Sequence, residues 1–171
     1  MSYNITNYDR LLIDFDGVLT NNKVYVDEVG KETVLCTRAD GLAFDVLKKI
    51  KFDSLIFSTE RSNVVSIRAQ KLDVPFVSAV KNKCNKLLSM AEKLNWDLSR
   101  TVYIGNDVND YFAMKLCGLK ICPNDAHLKV KKISNIILNL KGGEGVIREL
   151  LEDVFKIDLL YTLYGEKEWA F

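Results

Sequence analysis

Short apolar runs alternate with longer amphipathic stretches along this chain, and that alternation predicts the fold. Residues 11–15 form an apolar run of strand length. Residues 24–26 and 33–36 are brief β-like runs joined by a polar turn at 27–31 that holds Gly30, the pattern of a hairpin. Residues 41–50 place Leu42, Val46 and Leu47 on one side of a helix. A second core strand follows at 54–57, then a helix capped by Asn63 and reaching Leu72, then a short strand at 75–77. Lys83–Leu94 is amphipathic through Leu87, Leu88, Met90, Ala91 and Leu94. Strands at Thr101–Ile104, Leu119–Cys122 and 136–138 enclose a helix at 108–116, which Gly118 ends. Gly142-Gly143 reads as a hinge before a closing helix at 146–155. Strands alternating with helices give an α/β class: a doubly wound parallel sheet in one domain over 1–171, with a protruding β-hairpin. The aromatic tail (Tyr161, Tyr164, Trp169, Phe171), with charges at 166–168, reads as mobile or partner-bound.

Composition narrows the partners. A formal net charge of +1, with lysine and arginine scattered, supplies no field for nucleic acid or an anionic membrane. Any preference for an anionic substrate must therefore be local. No apolar stretch is long enough to span a bilayer, and the polar start lacks a signal-peptide core, so a cytoplasmic protein is expected. The four cysteines (Cys36, Cys84, Cys117, Cys122) form no CxxC pair and His127 stands alone, which argues against zinc, and the apolar surroundings of Cys117 and Cys122 mark those two as reduced core residues.

The chemistry gathers at strand ends, where open parallel sheets bind ligands. Asp14 and Asp16 lie two apart at the end of the first run, so both leave one face, and Gly17 then lets the chain turn. Such a pair suits a hard divalent cation, or a nucleophile beside a proton donor; a solvated acidic turn is the plainer alternative. Ser58-Thr59-Glu60 follows the second core strand, Lys83 opens a helix, and Gly105-Asn106-Asp107-Val108-Asn109-Asp110 follows Val102-Tyr103-Ile104. Singly these are a cap, a solvated lysine and a turn. Their shared location and order suggest one site.

DFDGVLT, then Ser58, Lys83 and GNDVND, resembles the haloacid dehalogenase superfamily of phosphotransferases from about Leu11 to about Leu151. The resemblance implies that Asp14 attacks phosphorus and becomes an aspartyl phosphate, and that Asp16 protonates the leaving alkoxide and then activates water. Mg²⁺ would sit on the Asp14 carboxylate, the Asp16 carbonyl and Asp107. Ser58 and Lys83 would hold phosphoryl oxygens, and Asp110 would orient Lys83 or a metal-bound water. The Asp14 charge is expected to help raise the Asp16 pKa. Asn106 stands where the pattern commonly has an acid, and Thr59 where a glycine often follows the hydroxyl. The spacings between Thr20 and Arg38 and between Phe76 and Lys83 leave no room for a cap domain.

The hairpin, Arg38-Ala39-Asp40-Gly41 and Gly142-Gly143-Glu144-Gly145-Val146-Ile147-Arg148-Glu149 are similar to small tetrameric phosphatases of keto-deoxy sugar acids. That likeness implies a homotetramer built through the hairpins, in which the hairpin or glycine-rich tail of one subunit reaches another's site. Enzymes for 3-deoxy-D-manno-octulosonate 8-phosphate usually carry Gly-Arg after the hydroxyl. Here Thr59-Glu60, with Arg68 and Lys71 three apart on one helix face, looks like the 2-keto-3-deoxynononate 9-phosphate phosphatases. The expected substrate is therefore a nine-carbon, sialic-acid-like 9-phosphate. The alternatives are the eight-carbon 8-phosphate, a phosphatase of broad range, and a non-catalytic tetramerisation module of the kind fused to sugar-nucleotide synthetases.

Overall fold

The first apolar run becomes β1 (Arg10–Ile13), the buried centre of a sheet. The computed structural model describes residues 3–165; Trp169, Phe171 and the charges at 166–168 lie outside them. After β1 the chain makes a wide turn over Phe15–Leu19, with Gly17 at φ 82, and enters a hairpin of β2 (Thr20–Val26) and β3 (Glu32–Cys36). Next come α1 (Ala39–Lys49), β4 (Asp53–Phe57), α2 (Val64–Leu72), β5 (Phe76–Val77) and α3 (Lys83–Leu94). Then follow β6 (Thr101–Ile104), α4 (Tyr111–Leu116), β7 (Leu119–Cys122), α5 (Leu128–Ile133) and β8 (Ile136–Ile137). The described chain closes with α6 (Val146–Glu149), which runs on as a wider helical turn over Leu150–Val154, and α7 (Leu159–Tyr164).

Six strands form one parallel sheet in the order β5-β4-β1-β6-β7-β8, and the hairpin stands apart as its own two-stranded sheet. Strand parity sorts the core. Leu11, Ile13, Val102 and Ile104 face α1, α2 and the closing helix. Leu12, Tyr103 and Cys122 face α3, α4 and α5 through Leu87, Met114 and Val130. Residues 20–36 hold only the hairpin, and residues 78–82 join β5 to α3 directly, so neither position carries an inserted cap. The strand order reverses between β1 and β6. Their outgoing loops diverge there and leave a crevice at the carboxyl end of the sheet.

Two expectations are corrected. Asn63 stands before α2, but its side chain makes no capping bond; Ser62 Oγ accepts the Val64 N–H at 3.4 Å. Nor is Gly142-Gly143 a hinge. The Gly143 N–H donates to Val18 C=O at 2.9 Å, and a Cβ on Gly142 would lie 2.2 Å from Gly17 O and 2.9 Å from Thr20 O. This segment buttresses the turn that carries Asp16 in its own chain. Gly142→Ala should therefore push that turn aside, costing about 1–3 kcal/mol and a large share of the activity. A thermal melt together with a rate assay reads both; a variant equal to wild type in each would show that the buttress is dispensable.

Asp40 ties α1 to the start of α6. Its Oδ1 accepts from Ile147 N (2.9 Å) and Arg148 N (3.3 Å), while Oδ2 is buried without a partner among the described residues. Burial raises its carboxyl from 3.8 to about 6, against the pull of those two N–H groups and of Arg68. A carboxyl raised in the folded state supports stability at low pH, and that support fades as pH rises through the raised value. Asp40→Asn keeps the Oδ1 acceptor without the charge. Relative to this variant, the wild type should lose on the order of 3 kcal/mol between about pH 4 and pH 7, read by urea denaturation across pH.

Candidate active site

Asp14 lies at the tip of β1 and is 3% exposed. Its Oδ1 accepts from Phe15 N at 2.8 Å and from Lys83 Nζ at 2.6 Å. Lys83 reaches in from the first turn of α3, fully buried, and its Nζ also meets Asp110 Oδ1 at 2.6 Å. Asp110 thus orients Lys83, one of the two roles considered for it. Asp110 Oδ1 also accepts from Tyr103 OH at 2.9 Å, and its Oδ2 accepts from Asn106 N and Asp107 N. These bonds shape the loop after β6. They also explain why α4 begins at Tyr111 and not at Val108, because residues 106–110 are wrapped around the Asp110 carboxylate.

Two carboxylates therefore share one ammonium in a dry setting. Burial by itself would lower the Lys83 pKa, but the charges and hydrogen bonds of Asp14 and Asp110 outweigh it, and the lysine stays charged. Burial pushes Asp14 well above the usual carboxylate range, the Asp110 charge adds to that, and Lys83 offsets only part of it. Asp16, half-buried, is raised first by burial and then by the Glu60 charge, with Thr20 Oγ1 donating to its Oδ1 at 3.4 Å in the opposing sense. Asp14 is not among the causes, so the expected origin of that shift is corrected.

Asp14, Asp16, Asn106 and Asp107 line one cleft of about 270 Å³. Asn106 lies against the catalytic turn, since a Cβ on Gly17 would fall 1.9 Å from its Nδ2. Its Oδ1 is buried without a partner among the described residues. Among the described residues no three acidic, histidine or cysteine side chains converge on one metal position, but an unpaired amide oxygen beside the Asp14 and Asp107 carboxylates offers oxygen donors of the kind a hard divalent cation takes. These residues fit Mg²⁺. Asparagine at this position also spares the cleft a further negative charge.

Other expected residues lie elsewhere. Ser58 is buried, and its Oγ accepts from Glu60 N at 3.0 Å, which leaves its own O–H free to donate. Thr59 lines the cleft. Glu60 is turned onto its own loop, with Oε1 accepting from Arg61 N and Ser62 N at 2.6 Å each. Arg68 donates to Thr37 C=O at 2.8 Å, Lys71 is exposed on α2, and Arg38 is exposed before α1. Neither Glu60 nor any of these three cations lines the cleft.

Sequence reasoning missed four contributors. Thr20 Oγ1 accepts from Gly17 N and Asn22 N, which knits the catalytic turn together. Asn22 and Asn109 line the cleft, and Tyr103 supports Asp110 from below. Thr20 and Asn109 stand inside the strand-end motifs quoted above, Tyr103 carried a signal as a polar-tipped residue of opposite parity to Val102 and Ile104, and Asn22 carried none.

Comparison with known proteins matches residues 44–150 to the haloacid dehalogenase-like hydrolase family. The chain belongs to that family. The matched stretch of this hydrolase includes Lys83 and the loop from Asn106 to Asp110. The chain is similar to an HAD family hydrolase of Streptomyces avermitilis of solved structure, at 31% identity and TM-score 0.83, covering 98% of this chain and 91% of that one. It is also similar to the solved 3-deoxy-D-manno-octulosonate 8-phosphate phosphatase of Moraxella catarrhalis, in complex with magnesium ion, phosphate ion and KDO. There the identity is 27%, the TM-score 0.83, and the coverage 89% of this chain and 88% of that one. The curated relative KdsC of Salmonella typhi, a phosphatase of the same eight-carbon ester, is 26% identical over 167 residues, which is 96% of this chain and 85% of its own. These relatives give the nine-carbon expectation no support. Arg68 and Lys71 do not line the cleft in this chain, while the Glu60 charge acts on Asp16 from its own loop. Among the described residues, no helix is long and apolar enough to cross a membrane.

Proposed function

We propose that this hydrolase is a Mg²⁺-dependent phosphatase of 3-deoxy-D-manno-octulosonate 8-phosphate, working in a reducing, cytoplasmic compartment. One observation carries the reading. A buried carboxylate, Asp14, shares a cleft with a second carboxyl raised toward protonation, Asp16, and is bound from behind by a lysine. Mg²⁺ would be held by the Asp14 carboxylate, the Asp16 main-chain carbonyl and Asp107, with Asn106 Oδ1 as a further oxygen. When bound, the cation offsets the repulsion between carboxylates and phosphate and stabilises charge on the equatorial oxygens.

The side chains supply the remaining steps. Asp14 attacks phosphorus to form an aspartyl phosphate, which divides the displacement in two. Asp16 in its protonated form delivers a proton to the leaving alkoxide, and as a carboxylate it then takes one from water. Lys83 and the Ser58 hydroxyl hold phosphoryl oxygens, while Asp110 and Tyr103 keep the lysine in position. Thr20 fixes the orientation of Asp16.

Steady-state comparison of the eight- and nine-carbon phosphates tests the substrate. A higher kcat/KM for the eight-carbon ester supports the proposal, and preference for the nine-carbon ester would restore the reading that the motif after Ser58 suggested. We carry the homotetramer as a proposal too. Val24, Tyr25, Val26 and Leu35 leave apolar surface exposed on the hairpin, which favours self-association. A monomer mass by light scattering would remove it. The part expected of the glycine-rich segment in a neighbouring site is not carried forward, because Gly142-Gly143 packs on the turn of its own chain.

A further inference from the structure

Two buried carboxylates take no part in the chemistry proposed above: Asp40 in the first turn of α1 and Glu149 at the end of α6. Both spend their oxygens on main-chain N–H groups of a single loop. Glu149 Oε1 accepts from Asn139 N at 2.6 Å, and its Oε2 accepts from Leu140 N at 2.9 Å. At the far end of the same loop, Asp40 Oδ1 accepts from Ile147 N and Arg148 N. Bonds from an N–H to a carboxylate are among the stronger ones, and burying a carboxylate is costly without them. The loop is thus pinned at its start and at its end.

Between those pins it presses on the turn that carries Asp16. The Gly143 N–H donates to Val18 C=O at 2.9 Å, and a Cβ on Gly143 would lie 2.6 Å from Asn21 N. Inside the turn, Thr20 Oγ1 donates to Asp16 Oδ1 at 3.4 Å and accepts from Gly17 N at 3.2 Å. Asn106 Nδ2 closes the other side at Gly17. From this wedge we infer that Asp40 and Glu149 are positioning residues for the proton donor Asp16, acting through the loop they pin and the turn it backs. The inference rests on the phosphatase reading above. A proton donor must lie within hydrogen-bond reach of the leaving oxygen, and a misplacement of about 1 Å can cost on the order of 10²-fold. Asp14 is held separately, by Lys83 and by its own N–H on Ile104 C=O. Slack in the loop therefore reaches the proton donor and spares the nucleophile.

The test compares two esters by kcat/KM. One is the better of the eight- and nine-carbon sugar-acid phosphates, whose leaving group is an alkoxide that needs a proton. The other is 4-nitrophenyl phosphate, whose phenolate departs without one. Asp16→Asn sets the scale and should lower the alkyl-to-aryl ratio by about 10²-fold or more. Asp40→Ala removes both bonds and should lower the ratio about tenfold, while Asp40→Asn, which keeps Oδ1, should restore it. Glu149→Gln sets an amide N–H against a main-chain N–H and should lower the ratio about threefold. Being nearly isosteric, it decides the matter if Asp40→Ala does not fold. A merely structural role would lower both rates together. The wild-type ratio in Asp40→Ala and Glu149→Gln would thus overturn the positioning role and leave the phosphatase reading standing. The wild-type ratio in Asp16→Asn would overturn the proton-donor reading itself, and the positioning role with it.

Discussion

Asp14→Asn is expected to abolish phosphate release, with a loss of at least about 10⁴-fold, while the protein stays folded. Asparagine keeps the Oδ1 that accepts from Phe15 N and Lys83 Nζ, so the local hydrogen bonds survive. What disappears is the anionic oxygen proposed to bond to phosphorus. Stability should not fall with activity. Asp14 and Asp110 are buried carboxylates sharing one ammonium, and burial raises the Asp14 pKa, so its ionised form costs folding energy at neutral pH. The wild type loses that stability as pH rises through the raised value, and the variant does not. In the absence of added cation the Asp14→Asn melt should therefore match or exceed that of wild type at pH 8. Adding Mg²⁺ should raise the wild-type Tm more than the variant's, because a ligand stabilises the state that binds it. Measurable turnover by the variant, or equal responses to Mg²⁺, would remove Asp14 from the roles of nucleophile and metal ligand.

Lys83→Met is expected to have the largest effect on stability. The Lys83 Nζ lies 2.6 Å from each of two carboxylates, and none of the three side chains is more than 4% exposed. Removing the ammonium leaves the buried Asp110 carboxylate without its counter-ion and drives Asp14 further toward its protonated form, and deleting one partner of a buried ion pair costs about 3–5 kcal/mol. Methionine preserves the apolar stem, so the loss reports the charge. The deficit should grow as pH rises through the raised Asp14 value, because the wild type then ionises Asp14 beside the ammonium and the variant has no cation there. The double variant Lys83→Met/Asp110→Asn should recover much of the stability, since a single buried carboxylate remains, and it should stay inactive because no cation holds the phosphoryl oxygens. Guanidinium denaturation of the two variants with a parallel rate assay reads both claims. A Lys83→Met enzyme as stable as wild type would mean that this charge triad contributes nothing to folding.

Much of the fold was legible because apolar spacing reports on burial. Lys83–Leu94, Thr101–Ile104 and Leu119–Cys122 form at the limits that their patterns predict. The parallel arrangement followed from strands alternating with helices. α5 and α7 went unread, being one or two turns long with weak periodicity. The first turn of the helix expected at 108–116 was lost to a long-range contact: Asp110 bonds Lys83 and Tyr103 and draws the loop around itself.

The sequence by itself determined the strand-end chemistry. Asp14-x-Asp16, Ser58, Lys83 and the loop from Gly105 to Asp110 follow apolar runs that must end at one edge of a parallel sheet, so topology alone gathers them. Only the tertiary structure decided how their charges are shared. It placed Lys83 between Asp14 and Asp110, attributed the shift of Asp16 to burial and Glu60, and turned Gly142-Gly143 from an expected hinge into a wall. It also turned the Glu60 carboxylate onto its own loop and left Arg68 and Lys71 outside the cleft lining. The physical reason is that side-chain pairing and desolvation depend on distances of a few ångströms between residues far apart in the chain, and local spacing carries no record of those distances.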